Sequence, residues 1–172
     1  MWDKIVIGVD NGSSGTVGFV RVKGSELETQ MFLTPTRTEQ NYTKKASNIK
    51  RLDYDVFLAW LEKEKAQAKT VMAYMERPFT GMFTNTAILA ARCFEAQLLA
   101  MEHAKVPHRI IDSKEWQKVM LPKGLTGSKE LKKASMDIGM RVLPSHADLI
   151  KKHGDADGFL IALWAVNCNL VC

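Results

Sequence analysis

The chain has 172 residues, of which 46% are hydrophobic, and a formal net charge of +5. This length and composition suit one globular domain with its own core and exclude a disordered chain. No apolar run approaches the roughly 20 residues of a membrane span, and no leader-like segment precedes the first predicted strand, so we expect a cytoplasmic protein with no membrane partner. The positive charge permits a nucleic-acid partner without requiring one.

The first third of the chain predicts three antiparallel strands. Residues 4–10 are apolar on both faces, which favours a strand in the centre of the sheet. A turn rich in Gly and Ser joins them to a second strand over 16–23, and a Lys-Gly-Ser-Glu turn leads to a third strand over 27–33. Residues 35–51 are polar and predict an irregular connection with a basic group at its end: Lys44, Lys45, Lys50 and Arg51.

The remainder of the chain alternates between helical and strand patterns. Helix start signals and apolar periodicity predict helices over 53–67, 84–104, 113–120 and 128–142, strands over 70–76 and 106–111, and a last helix from about Asp155. Three antiparallel strands followed by alternating helices and strands indicate an α/β fold with a mixed sheet flanked by helices.

Acidic residues stand at the ends of three predicted elements. Asp10 ends the first strand, Glu76 ends the strand over 70–76, and Asp155 and Asp157 open the last helix. If the strands of Asp10 and Glu76 are parallel neighbours, the two carboxylates lie side by side and repel each other unless a cation neutralises them. Oxygen ligands of this kind suit Mg²⁺ or Mn²⁺, and two such ions about 4 Å apart can promote phosphodiester hydrolysis.

Each acid taken alone has a simpler structural interpretation. Asp10 can bond to the backbone amides of the turn that follows it, Glu76 can pair with Arg77 at the surface, and Asp155 can cap the last helix. The metal hypothesis gains weight because all of these acids fall at predicted element ends.

Five segments, in order, carry a resemblance to a known family. They are IGVDNGSSG, YMERP, IIDSKEWQKVML, KELKKASMDIGMRVLP and HGDADGFLIALWA. Together they resemble the RuvC-like Holliday junction resolvases in their small phage-type form, which have the RNase H-like fold. The resemblance extends nearly from end to end and implies a single RNase H-like nuclease domain over residues 1–172. It also implies a homodimer that cuts four-way junctions.

The resemblance implies that Asp10, Glu76 and Asp157 are catalytic metal ligands for two Mg²⁺ or Mn²⁺ ions. The family usually has an acid or His three residues before the last Asp, where this chain has Gly154. We favour Asp155 as the fourth ligand, with His153 as the alternative, either as a ligand or as a general base. Gly158 stands where the family usually has Ala, a difference that we expect to change the chemistry little.

The resemblance and the local charge together suggest DNA contacts. Seven Lys or Arg residues lie between positions 114 and 141 against three acids, a balance suited to phosphates flanking a cut. The simpler interpretation is a solvated helix face. Candidate contacts are a group of lysines on one predicted helix, two aromatic residues after Glu76 that can stack on bases or pack under their loop, and a serine of the first turn that can bond a phosphate or simply form the turn: Lys129, Lys132, Lys133, Phe79, Phe83 and Ser14.

Other functions remain open at this stage. An RNase H-like nuclease can instead cut RNA–DNA hybrids or trim branched DNA more loosely. An ATP-binding domain of the actin or sugar-kinase type also opens with a strand, an Asp and a Gly-Ser turn, but that class needs two such domains and a much longer chain. Apolar residues on more than one side of the helix over 84–104 suggest that one side contacts a second subunit.

Overall fold

The computed structural model describes residues 1–41, 44–78 and 84–170. Its strands are β1 (Trp2–Val9), β2 (Thr16–Lys23), β3 (Glu26–Leu33), β4 (Thr36–Gln40), β5 (Asn48–Leu52), β6 (Ala68–Glu76) and β7 (His108–Ile111). Its α-helices are α1 (Tyr54–Ala66), α2 (Thr84–His103), α3 (Ser113–Met120), α4 (Ser128–Val142), α5 (Ala147–His153) and α6 (Asp157–Asn167). None of the helices within the described ranges is both long and apolar enough to cross a bilayer.

Five strands form a mixed sheet in the order β3-β2-β1-β6-β7. The first three are antiparallel, whereas β6 lies parallel to β1 and β7 lies parallel to β6. The prediction of a mixed α/β sheet with the first strand at its centre is therefore confirmed. Residues on β1 are buried on both faces, as the run Ile5, Val6 and Ile7 shows with no exposed surface.

Helices cover both faces of this sheet. On one face α1 and α2 pack over a core that includes Ile7, Phe19 and Phe57. On the other face α3, α4, α5 and α6 enclose a second core built around Trp116 and Phe159. Asp10 directly follows β1 and Glu76 is the last residue of β6, so these acids lie at the carboxyl ends of the two strands.

The first turn of α6 touches the sheet backbone directly. A Cβ atom added to Gly8 would lie 2.2 Å from the carbonyl oxygen of Gly158, and one added to Gly158 would lie 2.2 Å from the carbonyl oxygen of Thr16. Such distances leave no room for a methyl group unless the backbone shifts. The expectation that Gly158 changes the chemistry little stays a prediction, whereas for packing the missing side chain sets how closely α6 approaches β1 and β2.

Two predictions of secondary structure need correction. Residues 35–51, expected to be irregular, contain the antiparallel hairpin β4–β5, whose strands are polar on both faces and so lack the apolar alternation that marks a half-buried strand. Short α5 was missed, and α6 begins at Asp157 rather than near Asp155. The predicted helices over 113–120 and 128–142 are confirmed at both ends.

Candidate metal centre

The ends of β1 and β6 place two acids at one edge of the sheet. Val9 is opposite Met75 in the parallel register, so Asp10, directly after β1, and Glu76, the last residue of β6, are neighbours. The amide of Asp10 donates to the carbonyl oxygen of Thr16 at 2.9 Å, which fixes the backbone at the strand end. Arg77 forms its ion pair with Asp112 rather than with Glu76, so the surface-pair interpretation of Glu76 does not describe this fold.

The segment before α6 adds two more carboxylates to this edge. Asp10, Asp155 and Asp157 each offer a carboxylate oxygen, and these oxygens lie within 4.8 Å of one another. Residues separated by about 145 positions therefore converge in a space that one small cation can fill. The carboxylate of Glu76 is outside this group of three but close enough for its charge to act on Asp10.

Helix α4 holds this acidic segment in position. The buried hydroxyl of Ser135 donates to Oδ1 of Asp157 and accepts a hydrogen bond from the amide of Ala156 at 3.1 Å. One turn further along α4, a Cβ on Gly139 would lie 2.4 Å from Cβ of Ala156, so the two backbones are in close contact. From the other side, Thr16 Oγ1 accepts from the amide of Gly158 at 2.9 Å. These contacts fix Asp157 relative to β2 and α4.

Asp155 is surrounded by basic groups. Nζ of Lys132 lies 3.2 Å from its Oδ2, and Nε2 of His153 lies 3.4 Å from its Oδ1. The His153 contact lacks hydrogen-bond geometry, and among the described residues both Asp155 Oδ1 and His153 Nε2 are buried without a hydrogen-bond partner. Asp155 does not cap α6, because Ala156 occupies the cap position without a side-chain bond. Buried polar atoms without partners are costly and mark a place where another group can bind.

The pKa values of the carboxyl groups report the same crowding. Burial, followed by the charges of Asp157, Glu76 and Asp155, raises the pKa of Asp10 well above its usual range. Burial and the charge of Asp155 raise the pKa of Asp157 to about 6. Burial and the charge of Asp157 raise the pKa of Glu76 to about 7, against the opposing effect of Ser113 and Trp116.

Asp155 and Lys132 behave differently from the other charged groups. Burial tends to raise the pKa of Asp155, but the neighbouring His153 and Lys132 lower it below its usual value. Burial likewise tends to lower the pKa of Lys132, but Asp155, Asp10 and Asp157 raise it. Lys132 therefore offsets only part of the negative charge, and the cluster as a whole remains short of cations.

The residues of this site fit a hard divalent cation. The donors are carboxylate oxygens, which Mg²⁺ and Mn²⁺ prefer, and they converge from two rigid elements. Like charges held this close in a buried place raise each other's pKa, and a cation removes that cost. Asp155 Oδ1, buried and without a hydrogen-bond partner in the described part of the chain, is an open acceptor for such an ion.

The predicted DNA-contacting residues lie at several places around this centre. Lys132 reaches the acids, whereas Lys133 pairs with Asp137 at 2.7 Å along α4 and Lys129 is exposed at the start of that helix. Ser14 is exposed in the turn between β1 and β2. The remaining two candidates, Phe79 and Phe83, lie outside the described residues.

The sequence analysis missed Ser135 and Thr16. Each is a small hydroxyl residue inside a regular element, a position where such residues are common without any role at a site. One signal was available for Ser135: it follows Lys132 by three residues, which places both side chains on the same face of α4.

Comparison with known proteins supports the fold. No family model and no curated protein matches the sequence. Among solved structures, the chain is similar to RuvC from Thermus thermophilus, both by itself and in a complex with a Holliday junction substrate. Each comparison has a TM-score of 0.55 at 16% sequence identity and covers 97% of this chain and 98% of that chain. The mixed sheet flanked by helices therefore matches the RNase H-like fold of RuvC.

Proposed function

We propose that this protein is a metal-dependent, structure-selective DNA endonuclease that cuts four-way junctions or related branched DNA, in recombination or in the processing of phage DNA. The observation that carries the proposal is the convergence of Asp10, Asp155 and Asp157 at the carboxyl edge of β1 in a RuvC-like fold. One structure of this fold is a complex with a Holliday junction, which makes branched DNA the first substrate to test. In this proposal residues 1–172 form a single nuclease domain.

In this proposal the catalytic metal ligands are Asp10, Glu76, Asp155 and Asp157, with His153 as the alternative to Asp155. Two Mg²⁺ or Mn²⁺ ions, if held by these residues, would supply the activation of a water molecule and the charge stabilisation that phosphodiester hydrolysis needs. Asp10 presents its carboxylate from the end of a buried strand, a rigid support. The buried hydroxyl of Ser135 holds the carboxylate of Asp157 through a hydrogen bond.

DNA binding in this proposal depends on residues around the acidic edge. Lys132 contacts Asp155 and is still more than half exposed, so its ammonium group can also face a phosphate beside the cut. Three further candidates are exposed and can contact the phosphate backbone of the DNA farther from the cut: Lys129, Lys133 and Ser14. Phe79 and Phe83 are proposed as stacking residues at the junction centre on sequence grounds alone.

A homodimer fits this activity. A four-way junction has near two-fold symmetry, and paired cuts require two active sites related by the same symmetry. Helix α2 has three exposed large apolar residues, and they are candidates for the contact between subunits: Ile88, Leu89 and Leu99.

The test of this function is a cleavage assay on three substrates. Purified protein is incubated with a synthetic four-way junction, a DNA flap and an RNA–DNA hybrid in Mg²⁺, Mn²⁺ or a chelator. We expect paired, symmetric nicks in the junction with either metal and none with the chelator. Asp10→Asn serves as the control and should abolish cutting while junction affinity is kept or improved. Cutting of the hybrid alone would replace the proposal with an RNase H-type activity.

A further inference from the structure

The β4–β5 hairpin carries a concentration of positive charge outside the acidic site. Residues 36–52 contain five basic residues and a single acid, Glu39, in a chain whose net charge is only +5. The basic residues are distributed along both strands and across the connection: Arg37, Lys44, Lys45, Lys50 and Arg51.

Within the hairpin a single acid stands against five basic residues, so the ribbon carries a net positive charge. Arg37 and Arg51 are directly opposite each other in the antiparallel register, an arrangement that costs stability for like charges. Glu39 accepts from both guanidinium groups, at 2.7 Å from Arg37 and 2.6 Å from Arg51. Lys50 is exposed, without an ion pair among the described residues.

The hairpin also contributes little to the core. It is a separate two-stranded sheet, and an isolated ribbon of this size is marginal in water. Leu52 is its one fully buried apolar residue within the described range, and Ile49 is half-buried near α2. Its base is fixed by the amide of Asp53, which donates to the carbonyl oxygen of Pro35 at 2.8 Å. The chain therefore maintains an exposed, cationic ribbon at some cost.

The position of the hairpin connects it with the acidic site. Strand β3 ends opposite Thr16, and the amide of Thr34 donates to the carbonyl oxygen of Gly15 at 2.9 Å, so the hairpin emerges from the same sheet edge as Asp10. A cavity of about 330 Å³ between the hairpin and α2 is lined by four basic residues and one acid: Arg37, Lys50, Arg51, Arg92 and Glu95. Ala90, two residues before Arg92, accepts from Asn11, the residue after Asp10.

We infer that the β4–β5 hairpin is a second DNA-binding element, which holds the phosphate backbone of one arm of the substrate while the acidic edge holds the strand that is cut. The inference depends on the proposed function for the identity of the ligand. Phosphates of a DNA arm match an extended row of cations, and exposed Lys and Arg side chains on a ribbon can follow the backbone without reading bases. An acidic protein partner is the competing occupant, and the test below separates the two.

The experiment compares two triple variants with equal change of charge. Lys44→Ala/Lys45→Ala/Lys50→Ala removes exposed cations from the hairpin. Lys23→Ala/Lys63→Ala/Lys105→Ala removes three exposed lysines from the opposite edge of the sheet, where β2, α1 and α2 end. Thermal unfolding of both variants checks that the fold is kept. The probe is a labelled four-way junction bound in chelator, so that affinity is measured without cutting.

We expect the hairpin variant to bind the junction about tenfold more weakly than the unmodified chain at moderate salt. The slope of log affinity against log salt concentration should decrease in magnitude by about 2, since each lost phosphate contact removes about 0.9. The control variant should keep affinity within about twofold and keep the slope. Shortening the junction arms should lower the junction affinity of the unmodified chain and leave the affinity of the hairpin variant almost unchanged.

Two results would overturn the inference. Unchanged junction affinity and an unchanged salt slope in the hairpin variant would leave an acidic protein as the occupant, and an equal loss in both variants would show a general effect of charge. A different result would show that the proposed function is wrong, namely an absence of metal-dependent cutting by the unmodified chain. The binding comparison remains informative in that case, since it requires no catalysis.

Discussion

Ser135 is the side chain on which the orientation of Asp157 depends. Its hydroxyl is buried and joins two neighbours in the acidic segment, the carboxylate of Asp157 and the amide of Ala156. Groups that orient a metal ligand in this way typically change metal affinity by 10–100-fold when removed. The acids supply the charge of the site, and Ser135 holds the carboxylate of Asp157 in one orientation for metal binding.

The first prediction concerns this hydroxyl. Ser135→Ala should weaken Mn²⁺ binding by about tenfold, since Asp157 loses its hydrogen bond and turns freely. Titration calorimetry with the metal measures the affinity directly. Ser145→Ala, at an exposed position before α5, is the matched control and should bind as the unmodified chain does. Unchanged affinity in Ser135→Ala would show that Asp157 is oriented by other contacts.

The second prediction concerns the stability of the metal-free protein between pH 5 and pH 8. The pKa of Asp157 is raised to about 6 and that of Glu76 to about 7, so the folded state binds protons more tightly than the unfolded state does. The free energy of unfolding should therefore decrease as the pH rises, by about 1–3 kcal/mol over this range. Because the pKa of Asp155 is lowered, the contribution of this residue to the pH dependence of stability falls below pH 5.

Urea unfolding at several pH values, with and without Mn²⁺, measures this effect. Saturating metal should remove the decrease, because a bound cation stabilises the ionised carboxylates. Asp10→Asn/Asp157→Asn is the control and should show a flatter profile in the absence of metal. A metal-free protein that becomes more stable as the pH rises from 5 to 8 contradicts the assignment of these pKa values.

At the scale of elements, the approach of α6 to the sheet positions the acids. Its first turn touches β1 and β2 through glycines, which brings Asp157 to the end of β1. The sequence could predict that a buried helix follows the acids, because FLIALWA is almost wholly apolar. It could not predict the distance between helix and sheet, which depends on backbone contacts made by Gly8 and Gly158, far apart in the chain.

The third prediction separates two opposing effects at Gly158. Helix propensity alone predicts that Gly158→Ala stabilises the protein, by up to about 1 kcal/mol. Contact with the carbonyl oxygen of Thr16 predicts the reverse, a loss of about 1–3 kcal/mol in the free energy of unfolding. We expect the loss, together with weaker Mn²⁺ binding because the helix start moves away from β1. Chemical denaturation gives the sign, and a more stable variant would contradict the close approach.

The fourth prediction concerns the buried ion pair between β2 and α1. Arg21 donates to Glu64 at 2.7 Å and 2.5 Å, and both side chains are almost fully buried. Glu64→Leu should cost about 3 kcal/mol, since it leaves a buried guanidinium group with only Glu28 as a charged partner. Arg21→Met/Glu64→Leu should recover most of that loss. Denaturant unfolding measures both variants, and a double variant less stable than the single one would show that the pair itself stabilises the fold.

Prediction from sequence succeeded where the pattern is local and failed where it is not. The α3 and α4 boundaries follow from capping residues such as Asp112 and from helical periodicity. The hairpin was missed because its strands are held by cross-strand ion pairs such as Glu39 with Arg51 rather than by an apolar face. The order of the acids was predictable, whereas the pairing of Asp155 with Lys132 and His153 depends on how α4 and α5 pack.

At the scale of the whole molecule, the acidic cluster and the cationic hairpin lie toward the same edge of the sheet. The carboxyl ends of β1 and β6, the start of α6 and the end of β3 all meet there. The acidic cluster and the cationic hairpin are thus adjacent parts of one surface, an arrangement suited to a polyanion that needs a cation at the point of cutting and counter-charge along its length. The ion pair between Arg21 and Glu64 lies toward the opposite edge of the sheet. Its loss should therefore lower the free energy of unfolding without changing metal binding.

The fifth prediction tests the central claim, that these acids form one divalent metal centre. Crystals soaked in manganese and measured near the manganese absorption edge locate the ion through its anomalous scattering. We expect an anomalous peak in contact with carboxylate oxygens of Asp10 and Asp157, with Glu76 or Asp155 adjacent, and no peak in Asp10→Asn crystals. Well-ordered acids with no peak between them, in crystals that bind manganese elsewhere or not at all, would contradict the account.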